Sequence, residues 1–129
     1  MAKITEDDFF ESAKLKLTGN SIAQGPMGCV IWQGGGDGRY GEVKLLSPGN
    51  PPRRIVYRVH RLAMMIKLHQ ITLTGGVVSH RCHNKYCVNV EHLNIEPQYI
   101  NNQRECCRSN IVNGRRKCRG HDTFPECIF

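Results

Sequence analysis

The sequence predicts an α+β domain in which a small antiparallel β-sheet and short helices are held by metal as much as by an apolar core. Three observations predict it. The chain has 129 residues, of which 40% are hydrophobic and 7% aromatic, so an apolar core alone would be thin. Short β-rich runs bounded by glycine and proline breakers alternate with two helical patterns. Seven cysteines and six histidines, most of them after Gly76, supply candidate ligands.

The elements follow in chain order. Thr5 with Asp8 three positions on has the form of a capping box, and Phe9, Phe10, Ala13 and Leu17 follow at helical spacing until Gly19-Asn20. This predicts a helix over about 5–18, within an N-terminal segment of 1–20. "GCVIWQGGGDGRYGEVKLL" reads as two strands, 28–33 and 38–46, joined by a glycine turn, and "RRIVYRV" as a third after the breaker "SPGNPP". The sheet is therefore placed within 28–60. "HRLAMMIKLHQ" has the spacing of a mostly buried helix, its methionines serving as core filler. After Gly75-Gly76, "VVSH" and "LNIEP" read as strands flanking the irregular loop "RCHNKYCVNVEH". "PQYINNQRECCRSN" reads as a helix with Pro97 in its first turn. The tail from Ile111 has little periodicity and would be disordered without a cross-link.

The charge is uneven. Eighteen Lys and Arg against eleven Asp and Glu leave +7, with Glu6, Asp7, Asp8 and Glu11 at the front of the chain. Basic blocks follow around Arg53, Arg54, Arg58 and Arg61, and again around Arg104 to Arg119. A nucleic-acid phosphate backbone suits such a field; a solvated face that aids solubility explains it equally well. Seven cysteines cannot all pair within one chain, and "MAKITEDDFF" has no apolar signal-peptide core. These features predict an intracellular protein, in nucleus or cytoplasm and not secreted, with thiolates available to metal. No window has the roughly 20 apolar residues of a membrane helix.

The ligands divide into two sets. Cys82, Cys87 and His92, spaced x4 and x4, supply three ligands from one loop, and a tetrahedral zinc needs a fourth, for which Cys29 is the candidate. Cys107, Cys118, His121 and Cys127 form a second set that would pin the tail. Both would be closed Cys3His sites, hence structural, with Cys106 left over or exchanging with Cys107. The bland alternative is a scatter of buried thiols.

His80 and His83 stand outside that division. The segment "VSHRCHNKYCVNVEHLNIEPQYINNQREC" resembles the ββα-metal, or His-Me finger, core of HNH and His-Cys box homing endonucleases. "GCVIWQGGGDGRYGEV" and "YRVHRLAMMI" also resemble the sheet and helix preceding that core, so the likeness runs over roughly 28–127. Chain length predicts a single domain over 1–129; the resemblance implies a ββα-metal core at 77–109, and the second ligand set would make 107–127 a zinc-bound tail. It implies His80 as general base, Asn101 as the side-chain ligand of one catalytic magnesium, and Arg53 at the scissile phosphate, with Arg54 and Arg58 as alternatives. Asn102 shares the claim of Asn101 by position. Arg54, Arg58, Arg39, Lys44 and Arg104 are the remaining candidate DNA contacts. His83 reads as an exposed loop residue or a DNA contact, and His60 and His69 as structural.

Each role has a physical basis. Water is a poor nucleophile toward an anionic phosphodiester, so a neutral imidazole that takes its proton is worth about 10²–10⁴ in rate. A hard cation on an oxygen ligand stabilises the leaving oxygen, and arginine can clamp the other phosphate oxygens. The predicted function is thus a magnesium-dependent endonuclease acting on double-stranded DNA, with two structural zincs and, as a family expectation, a possible homodimer. One departure is Ser79, which stands where many HNH enzymes carry an acidic metal ligand. The alternatives are a catalytically inactive zinc-stabilised DNA-binding module and a zinc-stapled protein-interaction domain.

Overall fold

The computed structural model describes residues 3–104 together with Pro125, Cys127 and Ile128. Helix α1 (Glu6–Gly19) starts where expected: the Thr5 hydroxyl accepts from the Asp8 N–H at 3.1 Å and the Asp8 carboxylate from the Thr5 N–H at 3.4 Å. Its acidic first turn favours the helix dipole. One face buries Phe9, Phe10, Ala13 and Leu17 against α2 (Val59–Leu68), which buries Leu62, Ala63, Met64 and Met65. Burial of each large side chain contributes about 1.5–3 kcal/mol, and Phe9→Ala would cost about 3–5 kcal/mol.

The strands form three two-stranded antiparallel sheets, two of which stand where a single sheet was expected within 28–60. Strand β2 (Cys29–Trp32) does not pair with β3 (Glu42–Leu46) across the glycine run. It pairs with β1 (Ser21–Gln24), a strand absent from the sequence reading, in the register Ser21↔Trp32 to Gln24↔Cys29. The reason is local: Gly25 and Gly28, both at φ +82°, close a tight turn between β1 and β2. The glycines from 34 onward instead form a loop, held by a bridge between Gly36 and Gly41, that hands the chain to a second hairpin. There β3 pairs with β4 (Arg54–Arg58), with Lys44 opposite Val56 and Glu42 opposite Arg58.

The third hairpin positions the candidate chemistry. β5 (Val77–His80) pairs with β6 (Leu93–Glu96), with His80 opposite Leu93 and Val77 opposite Glu96. Gly76 (φ +133°) leads into it so closely that a Cβ there would collide with the Glu96 carbonyl oxygen. Helix α3, described over 98–104, follows β6 directly and buries Ile100 and Arg104. Thus strand, loop, strand and helix occur in the expected order, and α2 packs on β4, β5 and the loop's 3₁₀ turn at Val90–His92.

Candidate metal and catalytic centre

Cys29, Cys82, Cys87 and His92 are all buried, and their ligand atoms lie within 4.8 Å of one another. Backbone pairing brings them together. The N–H of Trp32 donates to Tyr86 O at 2.9 Å and that of Val88 to Val30 O at 2.7 Å, so the loop adds itself to the edge of β2. Asn89 Nδ2 donates to Gly28 O at 2.6 Å and fixes the same edge beside Cys29. His92 Nδ1 then stands 3.5 Å from Cys29 Sγ and 3.7 Å from Cys87 Sγ. Zinc with Zn–S of about 2.3 Å and Zn–N of about 2.05 Å, bound tetrahedrally, sets such pairs about 3.5–3.8 Å apart, so these residues fit it.

The electrostatics point the same way. The hydrogen bond from Cys82 is the largest influence pulling the Cys87 thiol down, to about 5. That bond and then burial push Cys82 up, while burial and then the charge of Cys87 raise Cys29. One buried thiolate is thus tolerated where three would repel, and a bound cation is what lets all three ionise.

His80 ends β5 beside this cluster and is 7% exposed. Burial first, and the charge of Lys85 second, lower its imidazole to about 4, against a bond to the Cys87 backbone that works the other way. Among the described residues its Nε2 has no hydrogen-bond partner. It lines a cavity of about 20 Å³ shared with Tyr40, Ser79, His83, Lys85, Asn101 and Arg104, room for about one water. Asn101 therefore reaches the same cavity as His80. Asn102 does not line it; it is exposed, and its Oδ1 accepts from Gln98 Nε2 at 2.9 Å.

Ser79, at the position of the departure, is 1% exposed, and its hydroxyl donates to Asn94 O at 3.3 Å. Arg104 requires a correction. Expected among the DNA contacts, it is 1% exposed and turned inward, donating through Nε and Nη2 to Glu96 at 2.6 Å each, to Cys127 Sγ at 3.3 Å and to Pro125 O at 2.7 Å. A guanidinium so enclosed meets no DNA. Its partner Glu96 is 0% exposed.

The other candidate contacts stand on the surface. Lys44 and Arg54 are exposed on one face of the β3–β4 ribbon, which takes the place expected for a ribbon of 28–33 with 38–46. Arg39 is exposed in the turn before β3. Arg53 is exposed just before β4, its N–H donating to Ser47 Oγ at 3.2 Å, and does not line the His80 cavity. Arg58 sits over the Tyr40 ring, 4.5 Å from its centroid. Of the second ligand set, Cys107, Cys118 and His121 lie outside the described residues, as does the expected behaviour of the tail.

Three participants were not singled out for the site in the sequence. Tyr40 stacks on His60 at 5.1 Å between ring centroids, and His60 on His80 at 4.6 Å, so a residue of the β2–β3 loop and one of α2 pack the imidazole. Burial and then His80 lower His60 to about 3. Glu96 was read only as the end of a strand. An acidic residue closing an apolar strand, eight positions before an arginine on a helix, is the one signal for that pair, and it is weak.

No helix among the described residues is long and apolar enough to cross a membrane. Neither a curated protein nor a solved structure shows a significant match to this chain. The family model for the zinc-binding loop region of homing endonuclease does match, over residues 42–128, a span that takes in His80, the zinc loop and Asn101. That span is more than half of the chain, and with a buried Cys3His cluster inside it and completed from β2, the protein belongs to the His-Me, HNH-type homing endonuclease family.

Proposed function

We propose that the protein is a magnesium-dependent DNA endonuclease that hydrolyses phosphodiester bonds with His80 as general base. The observation that carries this reading is the shared cavity: His80 from a strand and Asn101 from the following helix line one small buried space, and among the described residues His80 Nε2 has no partner there. An imidazole kept neutral by burial can accept a proton from water at physiological pH. The bond to the Cys87 backbone holds the ring while leaving Nε2 open. Asn101 would hold magnesium through its side-chain oxygen, and the ion, when bound, supplies positive charge to the phosphate and the leaving oxygen. Arg53, Arg54 or Arg58 clamps the phosphate, and Lys44 and Arg39 contribute to the grip on double-stranded DNA.

Zinc on Cys29, Cys82, Cys87 and His92 is structural in this reading, because four protein ligands leave no open position. A second zinc on Cys107, Cys118, His121 and Cys127 belongs to the same proposal; the donor from Arg104 at Cys127 Sγ suits a thiolate. Pairing of two copies would let both strands be cut.

The test uses supercoiled plasmid with wild type and His80→Ala, each with magnesium and with chelator. Magnesium-dependent nicking by wild type alone supports the proposal. The second reading, a binding module without activity, draws on Ser79, whose hydroxyl is taken by Asn94 and which offers no carboxylate. Salt-dependent binding by both proteins with cutting by neither, across a broad library of target sequences, would establish that reading instead.

A further inference from the structure

We propose that Tyr40, Arg58 and Lys85 form a gripping subsite for a nucleic-acid phosphodiester at the mouth of the His80 cavity. The nuclease reading supplies the substrate; the subsite itself rests on the arrangement around Tyr40. Lys85 Nζ lies 5.0 Å from the Tyr40 ring centroid and donates to its hydroxyl at 3.4 Å, while Arg58 Cζ lies 4.5 Å from the same centroid. Two cations from separate elements, the end of β4 and the zinc loop, thereby converge on one ring.

The ring is fixed from behind. Asp37 Oδ1 accepts from the N–H groups of Arg39 and Tyr40 at 2.8 Å each, and Asp37 N–H donates to Tyr40 O at 3.2 Å. These backbone bonds, before the charge of Arg58, lower the Asp37 carboxyl. Tyr40 also packs on His60, which packs on His80. The subsite is thus tied to the base through two ring contacts.

Position gives it a role. Tyr40, His83 and Lys85 line both the His80 cavity and an open groove of about 980 Å³ between the turn at 37–40 and the zinc loop. Among the described residues no carboxylate lines that groove, and Arg39 stands on its rim. With Lys85 on the groove wall and Arg58 against the Tyr40 ring, two positive charges lie close to a phosphate placed beside Tyr40. Ring contact also restricts the two long side chains beforehand, so less freedom is lost on binding. A strand lying in the groove would enter past Tyr40 and present a phosphate to His80.

The test is equilibrium binding of a short fluorescein-labelled duplex in magnesium-free buffer across a salt series, with zinc content measured for every variant. Phosphate contacts are independent of sequence, so the natural target is not required. Lys85→Gln is expected to weaken binding about tenfold and to reduce the salt slope by about one. Tyr40→Phe, which keeps the ring, should stay within about twofold of wild type, whereas Tyr40→Leu weakens binding by about the same factor as Lys85→Gln. The double variant Tyr40→Leu/Lys85→Gln should fall short of the product of the two, because the ring acts through the cations. An unchanged salt slope for Lys85→Gln, or a fully multiplicative double variant with zinc intact, overturns the subsite. Loss of slope in Lys85→Gln combined with no magnesium-dependent cutting by wild type supports the subsite and overturns the nuclease reading alone.

Discussion

Arg104 grips Glu96 with two near-parallel hydrogen bonds of 2.6 Å, Nε to Oε2 and Nη2 to Oε1, and neither side chain is more than 2% exposed. The pair joins β6 to α3, and Arg104 lines the His80 cavity. Removing one partner of such a pair strands a buried charge, so Glu96→Gln should cost about 3–5 kcal/mol, read as a fall in the urea midpoint. A variant within about 1 kcal/mol of wild type would mean that the carboxylate is solvated in solution.

The same pair sets an acid limit. Burial acts to raise the Glu96 carboxyl, but the bonds from Arg104 and then Asn94 outweigh it and hold it below 4.5. A carboxyl lowered on folding contributes stability that is complete above its unfolded value. That contribution is lost as pH falls through the lowered folded value. Wild type should therefore lose stability more steeply than Glu96→Gln on acidification below about pH 5, in urea titrations at successive pH values. Parallel curves would show that Glu96 does not titrate differently on folding.

Removal of zinc should be read by Trp32, the single tryptophan. Its N–H bonds Tyr86 in the zinc loop and its indole Nε1 donates to Gly35 O at 2.8 Å, while its ring is 4% exposed. Chelation, or Cys87→Ser, is expected to release the loop from β2 and shift Trp32 emission to the red, with loss of cooperative thermal unfolding. Unchanged emission after complete removal of zinc would show that the β2 edge holds without metal.

Gly76→Ala is expected to destabilise by more than the ~1 kcal/mol of an ordinary glycine replacement, because the new Cβ meets the Glu96 carbonyl at a backbone angle that disfavours side chains. Thermal unfolding gives the value. An effect below about 0.5 kcal/mol would show that β5 and β6 separate there at little cost.

Asn101→Ala and Asn102→Ala distinguish cavity from surface. Loss of the cavity oxygen should lower magnesium-dependent cutting by about a hundredfold or more, consistent with several kcal/mol from a catalytic ion. Asn102→Ala should leave cutting within about threefold of wild type, since its side chain is exposed and bonds Gln98. Equal losses in plasmid nicking would remove Asn101 from its assigned role.

What was legible in the sequence is what neighbouring residues decide. Thr5 and Asp8 announce the start of α1 because a cap is a contact across three positions. The strands around the zinc loop were readable from short apolar runs bounded by turns. The choice of Cys29 as fourth ligand followed from counting to four, and the structure places it there. Pairing of β2 was not legible: both β1 and β3 are within reach along the chain, and the turn that wins depends on where Gly25 and Gly28 adopt positive φ. Arg104 was misread because charge alone implies exposure, and its partner lies on another element. Tyr40 was missed since its neighbours come from α2, β4, β5 and the zinc loop, which share no sequence spacing.

Cys29 and His92 are 63 positions apart and meet at one ion site. A cross-link of that span restricts the unfolded chain by roughly 4 kcal/mol in the chain-entropy account given for disulfides. Unlike a disulfide, this link is untouched by cellular reductants and answers to metal supply. With free zinc above its dissociation constant, each tenfold change shifts stability by about 1.4 kcal/mol. With zinc on this site, the amount of folded protein would follow the metal status of its surroundings.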